Sequence, residues 1–132
     1  MRARIEAALL ALALCAAGTG AAAQGTTFLS TMRAFPEQGG EALYKAICQG
    51  CHMPDAKGAA GAGAYPALAG NRKLEAGGYP VLVVVRGAKA MPPFGYALSD
   101  DQVAAVVNYV RSHFGNDYAD PVSAADVKAA RP

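Results

Sequence analysis

The sequence predicts an all-α domain of three to four helices, and three observations carry that prediction. Val103, Val106, Val107, Val110 and Phe114 form one apolar stripe at helical spacing. Gly40, Tyr44 and Cys48 recur every four residues with Leu43 and Ile47 beside them, which gives a second helix a defined face. Val81-Leu82-Val83-Val84-Val85, the one run with marked strand propensity, is flanked by helix signals and finds no second strand to pair with.

The N-terminus comes first in chain order. Arg2 and Arg4 precede an apolar stretch, Ala7 to Ala17, and Ala21-Ala22-Ala23 supplies small residues where a cleavage site needs them. The stretch is shorter than the roughly 20 residues a bilayer crossing takes. It reads as a signal peptide over 1–23, cut before Gln24. Cys15 would leave with it; the competing reading, Cys15 as a lipidated residue, meets Leu14 where a small residue is expected. Arg2, Arg4 and Glu6 leave as well, taking the formal charge from +2 to +1. A chain so weakly charged has no basic face for nucleic acid. No second segment approaches spanning length, so no membrane span is expected in the mature chain.

Residues 24–35 lack periodicity and read as a loose N-terminal arm. Pro36-Glu37 then opens the first helical pattern. Gly58 to Ala64 alternates glycine and alanine, makes no apolar face and reads as a loop. Over 81–85 the flanks decide against a strand: Pro80 suits a helix start, Arg86 the last turn and Gly87 the position after it. Ser99, with Gln102 three residues on and Asp100 and Asp101 in the first turn, starts the last long helix, and Gly115-Asn116 ends it. The domain proper is 36–116. Residues 117–132 form a weakly specified C-terminal tail, in which Ser123 and Asp126 cap one short helical turn.

Cys48-Gln49-Gly50-Cys51-His52 carries the chemistry. Two cysteines three positions apart, followed at once by histidine, are the attachment signature of c-type haem. Each thiol adds to one of two vinyl groups on a porphyrin edge, and the following imidazole can bind iron from one face. A zinc half-site is the bland alternative, but the mature chain holds only these two cysteines and two histidines. A redox dithiol would follow a strand and needs no adjacent histidine.

An electron-transfer haem fills both axial positions, and the donors available opposite His52 are Met32, Met53, Met91 and His113. Met53 adjoins His52, and one residue advances only about 3.8 Å. Met32 lies in the loose arm, and His113 flanks a helix stripe where a half-exposed histidine is ordinary. Met91 sits between two helices and is stiffened by Pro92 and Pro93. A methionine is most often a core filler, but the haem motif and the place before the final helix make Met91 the expected second axial ligand.

At this point the chain resembles the class I cytochrome c family over about residues 36–116. The elements run in the family's order: a helix with Gly40 and Tyr44, Cys48 to His52, a Pro66-x-Leu68-x-Gly70 stretch, the Met91 loop, and a helix with Tyr109. The resemblance implies three to four helices wrapped around one covalently bound haem c. In the family the N- and C-terminal helices cross where a glycine meets an aromatic, here Gly40 against Val106 and Tyr109. It also implies that Pro66 and Leu68 line the haem pocket, with the Pro66 carbonyl on the second nitrogen of His52. Met91-Pro92-Pro93-Phe94 followed by Leu98-Ser99-Asp100-Asp101 is similar to small haem domains of bacterial dehydrogenase complexes. One departure is the absence of tryptophan, for which Tyr65 or Tyr79 stands in.

The implied function is that of a periplasmic electron carrier, not an enzyme, taking one electron at a time from a dehydrogenase and passing it to a terminal oxidase or another cytochrome. No catalytic constellation is visible in the sequence. The alternative is a haem-based ligand sensor or peroxidase-like enzyme, which would need a labile sixth site that a well-held Met91 argues against. Lys45, Lys57, Lys73, Lys89, Arg72 and Arg86 are candidates to rim an exposed haem edge.

Overall fold

A computed structural model describes residues 35–61 and 63–132. The expected signal peptide with Cys15, almost all of the expected arm, and Met32 lie outside the described residues.

The first helical run, α1, covers residues 40–52 in three pieces: Gly40–Leu43, a wider π-helical turn over Tyr44–Cys48, and Gln49–His52. It begins later than Pro36-Glu37 suggested, for two reasons. Gly39 stands at φ 87, outside any helical conformation. The Phe35 and Glu37 carbonyls are also already engaged, accepting from the Gln102 amide at 2.7 and 3.0 Å. In the wide turn the Gln49 N–H reaches back five residues to the Tyr44 carbonyl. Leu43 and Tyr44 are buried in the core, while Ile47 and Cys48 are half-buried beside it.

The glycine–alanine segment corrects the all-α expectation. Two-residue strands, β1 (Ala59–Ala60) and β2 (Ala64–Tyr65), pair antiparallel with Ala59 opposite Tyr65 and Ala60 opposite Ala64. Side chains this small let the backbone turn tightly, and strands this short leave no alternating pattern to read. A single 3₁₀ turn, Arg72–Leu74, follows, its start capped by the Asn71 side chain.

Helix α2, Gly78–Arg86, forms over the valine run, with Val81 and Val85 buried and Gly87 at φ 73 closing it. Helix α3, Asp100–Ser112, carries the full capping box: Gln102 N–H donates to the Ser99 hydroxyl, and Ser99 N–H to the Gln102 amide oxygen at 2.9 Å. Val103, Val106, Val107 and Val110 are all buried. The helix stops at Ser112, so Phe114 belongs to the turn after it, at φ 58, with its ring 4.9 Å from that of Tyr44.

The C-terminal segment is more firmly placed than its sequence suggests. Helix α4, Ala124–Ala130, has its own capping box from Ser123 and Asp126. Val127 is wholly buried, Val122 nearly so, and α4 packs against α2 and α3. Polar side chains with distant partners hold it. The guanidinium of Arg111, fully buried, donates to the Leu74 and Glu75 carbonyls at 2.9 Å each, to the Asp120 carboxylate at 2.6 Å, and to the Asp120 carbonyl. That hydrogen bond holds the Asp120 carboxyl below its usual value. The Asn108 amide brackets Val122, accepting from its N–H and donating to its carbonyl at 2.8 Å each.

Helices α1 and α3 meet at Gly40. A Cβ there would overlap the Ala105 carbonyl and the Tyr109 Cβ. The expected partner Tyr109 is therefore present, but Ala105 takes the place assigned to Val106, which faces a cavity instead. Gly40→Ala should destabilise the protein by roughly 1–3 kcal/mol through this overlap, against the gain of up to about 1 kcal/mol that alanine brings to an open helix. A lowered denaturant midpoint is the expected result. An unchanged or raised midpoint would mean the two backbones can part without loss.

Candidate functional site

The helices enclose a cavity of about 450 Å³. Ile47 of α1, Val83 and Val84 of α2, and Val106, Val107 and Val110 of α3 give it apolar walls. All six residues singled out from sequence line it: Cys48, Cys51, His52, Pro66, Leu68 and Met91.

The end of α1 places the first three. His52 is 9 % exposed, Cys48 is half-buried and Cys51 is exposed, and the two thiols are not joined in a disulfide. Burial pushes the Cys48 thiol up to about 12, with Cys51 adding to the effect. It is therefore a neutral thiol at ordinary pH. The Tyr44 hydroxyl anchors the end of the helix by donating to the Met53 carbonyl at 2.7 Å. Burial foremost, with Cys48, Tyr109 and Asp55 adding, raises that phenol to about 12, so it remains a donor.

His52 Nδ1 lies 2.9 Å from the Pro66 carbonyl oxygen. A carbonyl only accepts, so Nδ1 carries the proton, which in the neutral ring leaves the lone pair on Nε2. Pro66 is held in place from several sides. The Leu68 and Ala69 N–H groups both donate to the Ala56 carbonyl, at 2.8 and 2.9 Å. The buried Asn116 amide donates to the Leu68 and Val110 carbonyls and accepts from Asn71 N–H, all within 2.9 Å. Gly58 donates to the His52 carbonyl at 3.1 Å. It sits at φ 68 directly beneath the Pro66 peptide, so that a Cβ would lie 2.8 Å from the Pro66 carbonyl carbon. Sequence reasoning missed Gly58 and Asn116 as positioning residues. Gly58 was one glycine among several in a bland loop, and Asn116 was legible only as a helix stop.

Met91 is half-buried in a tight turn, where it and Ala88 exchange backbone hydrogen bonds at 2.9 and 3.0 Å. The loop then caps α2. Pro92 and Pro93 have no N–H, but Phe94 and Gly95 donate to the Val84 and Val85 carbonyls at 2.8 and 3.2 Å. Those carbonyls belong to the last turn of α2 and have no partner within the helix. Of the other donors considered, the two among the described residues, Met53 and His113, lie off this lining. Met53 follows His52 at φ 68, and exposed His113 shares Nδ1 between the Tyr109 carbonyl and the Ser112 hydroxyl. Tyr65 and Tyr79, 41 % and 48 % exposed, line the cavity, as do Lys73 and Lys89. Lys45 and Lys57 are paired with Glu41 and Asp55.

The donor set fits a covalently attached haem c: two thiols at the required spacing, an imidazole with Nε2 free, a thioether, and apolar walls. Among the described residues no three or more His, Cys, Asp or Glu gather, as a closed zinc site would need. Gly58→Ala should push the Pro66 peptide away and weaken its bond to His52. The Nδ1 proton of His52, followed by NMR, should exchange roughly fivefold faster, the factor that loss of a hydrogen bond worth about 1 kcal/mol gives. An unchanged exchange rate would show that Gly58 does not position Pro66.

Residues 36–110 match the family model described as Cytochrome C oxidase, cbb3-type, subunit III. Curated relatives include the fructose dehydrogenase cytochrome subunit of Gluconobacter japonicus, 38 % identical over 70 % of this chain and 22 % of that protein. The gluconate 2-dehydrogenase cytochrome c subunit of Pantoea cypripedii is 34 % identical, over 71 % of this chain and 24 % of its own length. The cytochrome c subunit of the quinone alcohol dehydrogenase of Gluconobacter oxydans (strain 621H) is 34 % identical, over 70 % and 22 %. The chain thus spans about a quarter of the length of these relatives.

Proposed function

We propose a function for a chain that belongs to the family described as Cytochrome C oxidase, cbb3-type, subunit III: one-electron transfer on a haem held between His52 and Met91. The domain is a c-type cytochrome, an electron carrier rather than a catalyst, and its cofactor is covalently bound haem c. The observation that carries the finer reading is the convergence of Cys48, Cys51, His52, Pro66, Leu68 and Met91 on one cavity.

When bound, haem c supplies a one-electron iron couple. The chain's own residues do the rest. Cys48 and Cys51 would fix the group by thioether bonds. His52 would offer Nε2 to the iron, its ring orientation and basicity set by the Nδ1–H donated to Pro66. Met91 would offer its thioether, which raises the reduction potential relative to a second imidazole. The valine walls exclude water and keep the surroundings apolar. Tyr65 and Tyr79, beside Lys73 and Lys89, would border the side open to redox partners.

The relatives named as dehydrogenase cytochrome subunits support a dehydrogenase as electron donor. A terminal oxidase or another cytochrome would be the acceptor. The apolar stretch and alanine run of residues 1–23 support export and, with it, a periplasmic site of action. Among the described residues no helix is long and apolar enough to cross a membrane.

Substitution of Met91 tests the ligand set. Met91→Ala should open the sixth site, so that the reduced protein binds carbon monoxide readily where the wild type does not. Met91→His should stay six-coordinate at a lower potential, since imidazole is the stronger donor to ferric iron. Retention of the wild-type ferric spectrum by Met91→Ala, with its loss in a His113 variant, would reassign the ligand to His113.

A further inference from the structure

The loop that carries Met91 is gripped at its far end by the last part of the chain. Arg131 follows α4, and its guanidinium reaches three acceptors on the return limb of that loop. It donates to the Gly95 carbonyl, to the Leu98 carbonyl at 2.9 Å, and to the Asp100 carboxylate at 2.6 Å. Gly95 is the residue whose own N–H caps Val85 of α2, and Asp100 opens α3. One side chain therefore ties the loop's exit to the start of α3. The Arg131–Asp100 pair is partly shielded, at 26 % and 30 % side-chain exposure, which makes these charge-assisted bonds stronger than those of an open surface pair.

Arg131 is itself anchored. Arg86, the last residue of α2, donates twice to the Ala130 carbonyl, at 3.0 and 3.3 Å. Val127 is wholly buried one turn earlier. The segment leading into the Met91 loop and the segment leaving it are thus both fastened to α4. Within residues 92–96, Pro92, Pro93 and Tyr96 are exposed and Phe94 is the one large side chain that packs partly against the core. The family match ends at residue 110, ahead of this strap.

We infer that Arg131 is a positioning residue for Met91: by holding the Gly95 and Leu98 carbonyls and the Asp100 carboxylate together, it sets how readily Met91 leaves the iron. The inference rests on Met91 being the sixth ligand. The mechanism is a local opening equilibrium. Without the guanidinium the exit of the loop loses three fixed points, and the opened form, in which the thioether has withdrawn, becomes more populated.

The test uses the full-length holoprotein with Arg131→Met, Arg131→Lys, Ser123→Ala and Met91→Ala. Carbon monoxide binding to the reduced protein reads the opened population, and amide exchange at Phe94 and Gly95 reads the loop independently of the iron. Arg131→Met should bind carbon monoxide roughly tenfold faster or more, the factor that loss of one charge-assisted hydrogen bond gives. Exchange at Phe94 and Gly95 should rise with it. Arg131→Lys should recover part of both effects. Ser123→Ala, which weakens α4 away from the loop, should lower the unfolding midpoint and leave carbon monoxide binding near wild type. Wild-type carbon monoxide binding and loop exchange in Arg131→Met, with Met91→Ala open as expected, would overturn the positioning role alone. If Met91→Ala also bound carbon monoxide no better than wild type, the ligand reading itself would fall, and this inference with it.

Discussion

Three helices and two loops of this protein are arranged around one apolar cavity of about 450 Å³, and the other features of the structure serve that arrangement. Protein interiors pack to near-crystalline density, so a space of this size at the centre of a small domain is a binding site rather than a packing fault. Its walls are largely valine, isoleucine and leucine, and among its polar groups are the two thiols, the imidazole and the thioether that vinyl and iron chemistry use. A covalently held haem c would fill this space and add its own apolar surface to the core.

Around that centre, polar side chains hold the connecting segments in place. Asn116 and Gly58 support the stretch that carries the Pro66 carbonyl. Arg111 and Asn108 fasten the segment after α3, and Arg86 and Arg131 fasten α4 over the loop of Met91. The buried Arg111 guanidinium and Asn116 amide are each satisfied by several backbone groups, which is the condition for a buried polar group to fix a conformation without a large cost. The loops that bring Met91 and the Pro66 carbonyl to the cavity are thereby held by bonds to the helices.

Where the sequence could be read, local chemistry had left a local mark. The Ser99–Gln102 box and the valine stripe of α3 depend on residues a few positions apart, and both are present as read. The Cys48 to His52 run is legible because attachment of one porphyrin edge allows little variation in spacing. The helix over Val81 to Val85 was recoverable only from its flanks, since β-branched residues in a well-packed helix contradict their own propensity. Other features had no local mark. The paired strands at Ala59–Ala60 and Ala64–Tyr65 are too short for a period. The start of α1 was displaced by Gly39 and by Gln102, which sits more than sixty positions away in the chain. The burial of Val127 and Arg111 depends on partners distant in sequence, so residues 117–132 looked like a tail.

A haem seated in this cavity would form part of the core of the domain. The most direct measurement is far-UV circular dichroism through thermal unfolding of a Cys48→Ala/Cys51→Ala double variant, stripped of haem by solvent extraction. The cavity would then have to be closed by a chain with too few apolar residues to do so. Reduced helicity and a broad, weakly cooperative transition well below the wild-type midpoint are the expected result if haem is part of the core. A haem-free double variant with full helicity and a sharp transition at the wild-type midpoint would contradict it.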